Sequence, residues 1–175
     1  NPEKYTYSSG GIGAASHVLT EYLKNSNDLK ILHVPYGGQG PAVNAVLTGE
    51  VDMTLQTVAG AEDLIRTGRL RPLATTGPNR IKLFPEVPTF NEAGLKGMDI
   101  VGWSGLVALG GLPEAQANRL IQSFSKTMAQ PDLQRLLEAR GVDVKLMGDQ
   151  DFARLMQKDR AFWERAISVG KIKAE

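Results

Sequence analysis

Two stretches decide the fold. One is Tyr5-Thr6-Tyr7-Ser8-Ser9-Gly10-Gly11-Ile12-Gly13-Ala14-Ala15-Ser16. The other is Ile31-Leu32-His33-Val34-Pro35-Tyr36-Gly37-Gly38-Gln39-Gly40-Pro41-Ala42. Each is a short β-like run that ends in a glycine-rich turn and feeds a helical stretch. Helix N-termini carry unpaired N–H groups and the positive end of the aligned peptide dipoles. Glycine lets a ligand come close to that backbone. Two such turns at one edge of a sheet form a cradle for an anion, with no need for a reactive side chain.

Working outward, strands and helices alternate. Strands are expected at residues 5–8, 31–34, 51–55 and 71–76, with helices at 14–24, 41–48 and 59–66 between them. Pro41 suits a first helical position, and Gly49 and Gly68 suit stops. This βα order predicts a mostly parallel sheet flanked by helices, an α/β fold. Residues 77–97 read as a long loop with a helical turn near 89–93, and 99–109 as extended. Pro113 and Pro131 open helices ending near 128 and 139. Residues 142–146 read as a short strand, and Asp149 as the N-cap of a long last helix. That helix has an apolar stripe of Phe152, Leu155, Met156, Trp163, Ala166 and Ile167, which at this spacing is core packing.

Composition narrows the function classes. The chain has 175 residues, 42% of them hydrophobic, with 20 basic and 19 acidic side chains and a net charge of +1. That balance, with basic residues scattered, points to no nucleic-acid partner. No apolar run approaches the roughly 20 residues of a membrane span. Cysteine is absent, which removes disulfides and thiolate chemistry. The chain does not begin with Met, and Asn1-Pro2-Glu3-Lys4 reads as a loop before the first strand. A mature or truncated chain is the expectation.

Several constellations bear on chemistry. Gly11-x-Gly13-x-x-Ser16 approaches a dinucleotide fingerprint, but Ser16 stands where Gly or Ala belongs. The second strand also runs into Val34-Pro35-Tyr36, with no acidic residue for a ribose. Gly102-Trp103-Ser104-Gly105-Leu106 misses the nucleophile elbow at its fifth position. His17 and His33 match no metal spacing and read as hydrogen-bonded structural residues. No catalytic residue, metal or cofactor is expected. Ser8, Ser9 and Ser16 either bring hydroxyls to the cradle or cap the first helix. Gln56 and Thr57 follow the third strand at the same edge, as polar ligand contacts or as a turn with a threonine N-cap.

The chain resembles the receptors of the tripartite tricarboxylate transporters, the Bug family of periplasmic solute-binding proteins. The residues that carry the likeness are Tyr7 to Gly13, Ser16-His17, and His33 to Ala42. Gly49-Glu50-Val51-Asp52, Gly68 to Ala74, Phe84 to Gly94, Gly102-Trp103 and Gly170 to Lys173 continue it. The resemblance implies a two-lobed clamshell of the type II periplasmic-binding-protein kind, with this chain beginning inside the second lobe. By that analogy residues 1–102 form ligand-binding lobe two, 103–148 return to lobe one, and 149–175 rejoin lobe two. Most of lobe one is then missing, which leaves self-association open.

The resemblance further implies a non-enzymatic periplasmic receptor. It would capture a small organic carboxylate and deliver it to a membrane permease. Ser8, Ser9, Gly10, Gly11, Gly13 and Ser16 would hold a carboxylate, with Tyr36, Gly37, Gly38, Gln56 and Thr57 completing the site. Gln56, uncharged where many relatives are acidic, weakens the case for an amino-acid ligand. Two other classes stay open: a nucleotide-dependent enzyme using the first turn, and an interaction module without a ligand.

Overall fold

A computed structural model describes residues 4–173. The expected loop at the extreme N-terminus lies, for residues 1–3, outside the described residues. Three parallel strands form the sheet: β1 (Tyr5–Ser9), β2 (Ile31–Pro35) and β3 (Met53–Thr54), in the order β2-β1-β3. Tyr7 is in register with His33 on one side and Met53 on the other. The connecting helices are α1 (Ala15–Ser26), α2 (Gln39–Leu47) and α3 (Val58–Arg66). Three more follow: α4 (Glu114–Met128), α5 (Pro131–Ala139) and α6 (Asp149–Gly170).

The central strand is the most deeply buried, with Tyr7, Ser8 and Ser9 fully enclosed. Helix α2 covers it with Ala42, Val43 and Ala45, all buried. Helix α1 places Val18, Tyr22 and Leu23 against Met98 and Ala166, and Phe162 and Trp163 of α6 pack around them. The last helix thus rests on the first. Of its expected stripe, Trp163 and Ala166 join the core, whereas Met156 and Ile167 are exposed.

Several expectations are corrected. Residues 71–76 form no strand: Thr75 makes a single bridge to Thr89, and Leu73 is exposed. Backbone groups there bond the 88–90 turn instead, through Thr75 N to Pro88 O and Phe90 N to Thr75 O. Residues 142–146 likewise join no ladder among the described residues. The third strand shrinks to two residues because the Glu50 and Val51 amides close α2 on Ala45 O. Pro41 sits third in α2 rather than first, which the orphan amides of a whole first turn permit. Asp149 is the first residue of α6, and Gly148 takes the N-cap position. The 89–93 turn does form, as a capping box. Glu92 N donates to Thr89 Oγ1, and Thr89 N to the Glu92 carboxylate.

Helices α4 and α5 have no buried residue. Leu120, Ile121 and Leu136 stand in solvent, as do Leu106, Val107 and Leu109 before them. The turn after α5 meets α3, where Arg140 pairs with Glu62 and Asp63. No helix among the described residues is long and apolar enough to cross a membrane.

Candidate functional site

The parallel sheet delivers three helix N-termini to its C-terminal edge, where open α/β sheets take ligands. The first follows β1. Gly11 and Gly13 adopt φ of +120° and +79°, which L side chains resist, so the turn needs glycine at both positions. Helix α1 then starts at Ala15 with no side-chain cap. Ala14 N bonds Gly11 O and Val18 N bonds Ala14 O. The N–H groups of Ala15, Ser16 and His17 have no partner among the described residues.

The polar side chains of this turn hold the turn itself. Ser16 Oγ accepts from Gly10 N at 3.2 Å. Ser9 Oγ accepts from Gly11 N at 3.3 Å and lies 2.7 Å from His33 Nε2. His17 Nδ1 accepts from Gly13 N at 3.1 Å. Ser8 is further in, fully buried, and donates to Ala42 O at 2.7 Å. The serines therefore do not cap α1; they brace the loop and fasten α2 to the central strand. Both histidines are structural and hydrogen-bonded, as their sequence setting predicts.

The second N-terminus belongs to α2. Gly38, at φ +147°, is its N-cap and offers no side chain, so the Gln39 and Gly40 amides stay unpaired among the described residues. Tyr36 N donates to Ser9 O at 3.0 Å, tying the second turn to the first. A Cβ on Gly11 would stand 3.3 Å from Tyr36 O. The Tyr36 hydroxyl is out of solvent and makes no hydrogen bond among the described residues. Burial first, and the nearby Glu50 carboxylate second, raise its pKa.

The third N-terminus is that of α3, where Thr57 is a true N-cap with Oγ1 accepting from Gly60 N. Gln56 Oε1 accepts from Thr57 N at 2.8 Å. Between α2 and α3 lies a cleft of about 520 Å³ lined by Gln39, Val43, Asn44, Gln56, Thr57 and Gly60, with no charged side chain. Sequence reasoning missed Gln39, Val43 and Asn44. The i,i+4 spacing of Gln39 with Val43 and of Gly40 with Asn44, just after the Gly38 cap, was the available signal. The Gln39 side chain lies over Gly10, with its Oε1 buried and without a partner among the described residues.

No cluster of three metal-ligating side chains occurs among the described residues. What the edge offers is backbone donors, amides and hydroxyls, suited to holding an anion and lacking a nucleophile with a base in reach of a ligand. The Ser9–His33 pair is no exception, because Ser9 is fully enclosed.

The family model described as "Tripartite tricarboxylate transporter family receptor" matches residues 1–171. A Pseudomonas sp. strain P51 protein, described as a UPF0065 protein in the tcbD-tcbE intergenic region, is 32% identical over 99% of this chain, which covers 52% of that protein. Among solved structures, R. palustris Rpa4515 with adipate superposes with a TM-score of 0.90 at 26% identity, covering 98% of this chain and 57% of that one. MatC (Rpa3494) from Rhodopseudomonas palustris with bound malate gives a TM-score of 0.85 at 28% identity, covering 93% and 56%. The chain thus spans about half the length of the curated relative and under three-fifths of either structure.

Proposed function

We propose that this chain, which belongs to the tripartite tricarboxylate transporter receptor family, captures a small organic carboxylate at the C-terminal edge of its sheet. The family is one of receptors, not enzymes. The observation that carries the reading is the uncapped start of α1, where three successive amides have no partner among the described residues beside a braced glycine turn. A carboxylate there completes the helix start and meets its dipole. Ser8, Ser9, Gly10, Gly11, Gly13 and Ser16 build this wall. Tyr36, Gly37, Gly38, Gln56 and Thr57 form the facing one. Adipate and malate in the two similar structures support this ligand class.

We further assign residues 1–102 to the ligand-binding lobe, 103–148 to a return segment of the other lobe, and 149–175 to a helix that rejoins the first. The seat of α6 on α1 and the lack of buried residues in α4 and α5 support that division. The proposal is completed by delivery to a membrane permease, which the family description supports, and by a periplasmic location, which a similar solved structure titled a periplasmic transporter supports.

The test is a thermal-shift and calorimetric panel of adipate, malate, citrate and NAD. It is run on this chain and on a version extended to the length of its relatives. A ligand at ~100 times its dissociation constant adds about 2.7 kcal/mol of stability. A carboxylate shift is expected. A shift with NAD alone would move the chain to the nucleotide-enzyme class.

A further inference from the structure

Two histidines lie against the glycine turn, and carboxylate capture as described uses neither imidazole ring. His17 is buried on α1, and its ring stacks on that of His33 with centroids 4.2 Å apart and planes 18° apart. His33 stacks in turn on Tyr7 of β1 at 4.7 Å. Each ring reaches the turn through one nitrogen: His17 Nδ1 takes the Gly13 amide, and His33 Nε2 meets Ser9 Oγ.

We infer that His17 is a positioning residue for carboxylate binding, holding Gly13 so that the amides at the start of α1 stay open to the ligand. This rests on the carboxylate reading above. The chemistry is specific to one protonation state. To accept a backbone N–H, Nδ1 must carry a lone pair, so the ring is neutral with its proton on Nε2. An imidazolium has two donors and no acceptor. Protonation therefore turns the Gly13 contact from attraction into two N–H groups pointing at each other, and Gly13 moves.

The neighbours favour the neutral ring. Within its own helix His17 feels Glu21 and Lys24, which are themselves paired at 2.6 Å. From the strands it faces His33, whose protonation would oppose its own, and beyond that Tyr7, whose hydroxyl donates to Glu21. Helix α6 meets α1 through apolar Phe162, Trp163 and Ala166. Burial, the leading cause, lowers the His17 pKa; Glu21 opposes this and Lys24 adds to it.

The experiment titrates adipate and malate into the receptor by calorimetry between pH 7.5 and 5, with wild type, His17→Gln and His17→Leu. Gln supplies an acceptor that does not titrate; Leu supplies none. Dividing wild-type affinity by that of His17→Gln at each pH cancels the ligands' own protonation. At pH 7.5, His17→Leu is expected to bind about tenfold more weakly, with His17→Gln within about threefold of wild type. As pH falls, wild type should weaken relative to His17→Gln. A ratio that stays flat or rises on acidification overturns the inference, as does a His17→Leu protein that binds like wild type. If His17→Leu does not fold, the wild-type to His17→Gln ratio decides alone. Failure of wild type to bind either carboxylate at pH 7.5 overturns instead the reading beneath it.

Discussion

Gly11→Val tests both the turn and the site. Gly11 sits at φ +120°, a region essentially closed to residues with a Cβ, and occupying it costs about 1–3 kcal/mol. The new Cβ would also stand 3.3 Å from Tyr36 O, tighter than ordinary van der Waals contact. Tyr36 cannot retreat freely, because its own amide is bonded to Ser9 O at 3.0 Å. Together these predict a loss of about 2–4 kcal/mol, a large part of the ~5–15 kcal/mol of a typical domain. The strain falls on the loop that presents the α1 amides, so carboxylate affinity should drop at least about tenfold in protein that remains folded. Gly37→Ala is the control: its backbone is not in the positive-φ region and no atom lies within 4 Å of the added Cβ. Its cost should stay within ~0.5 kcal/mol. The assay pairs urea denaturation with calorimetric titration of adipate. A Gly11→Val protein that loses under 0.5 kcal/mol and binds as wild type would refute the argument.

Two further predictions follow from the same edge. Thr57→Ala removes the only side-chain cap seen on α1, α2 or α3, and should cost about 1 kcal/mol in urea melts, with Thr57→Ser largely restoring it. Acid should weaken the fold through the histidine stack. Burial, then His17, lower the His33 pKa from 6.5 to about 4. Below 6.5 the unfolded chain therefore takes a proton that the folded chain refuses. That stability is present above pH 6.5 and is lost as pH falls to about 4, with His17 adding in the same direction. Because the His33 ring is partly exposed, screening reduces the loss to about 1–2 kcal/mol. Equilibrium denaturation of wild type and His33→Gln at pH 7 and pH 4 measures it. An equal pH dependence in both proteins would count against the stack as its source.

The parts of the fold that the sequence made legible are those whose signals are local. A β-like run, a turn that needs glycine and an apolar helical period lie side by side in residues 5–24 and 31–48, and both units form. The expected strands at 71–76 and 142–146 do not form, because β-propensity states only that a segment fits a sheet, not that an edge is there to receive it. Thr75 spends its bonds on the 88–90 turn, and Val142 N closes on Leu137 O. At the site, residue types were easier to pick than roles. Thr57 fulfils its capping alternative. Ser9 and Ser16 do not cap α1, and their hydroxyls brace Gly11 and Gly10. Gln39 escaped notice because its place over Gly10 comes from the crossing of two turns that no single window contains.

These bracing contacts explain how a site without a cation could hold an anion. Water solvates a free amide and a free carboxylate alike, so a loose glycine loop would spend much of its binding energy on ordering itself. Here Ser9, Ser16 and His17 satisfy the amides of Gly11, Gly10 and Gly13 in advance. The turn is braced before a ligand arrives, and the amides of Ala15, Ser16 and His17 have no partner among the described residues. Hydrogen bonds to a charged group contribute about 1.5–3 kcal/mol each, so three reach about 4–9 kcal/mol, the millimolar to micromolar range. An arginine in the same place would add affinity that one wall alone retains. A dipolar wall of this strength needs the facing one to hold its ligand firmly, and loses that grip when the two part. Under the carboxylate reading proposed above, binding that depends on both walls is what a capture-and-release receptor requires, and it would account for a site built of backbone rather than charge.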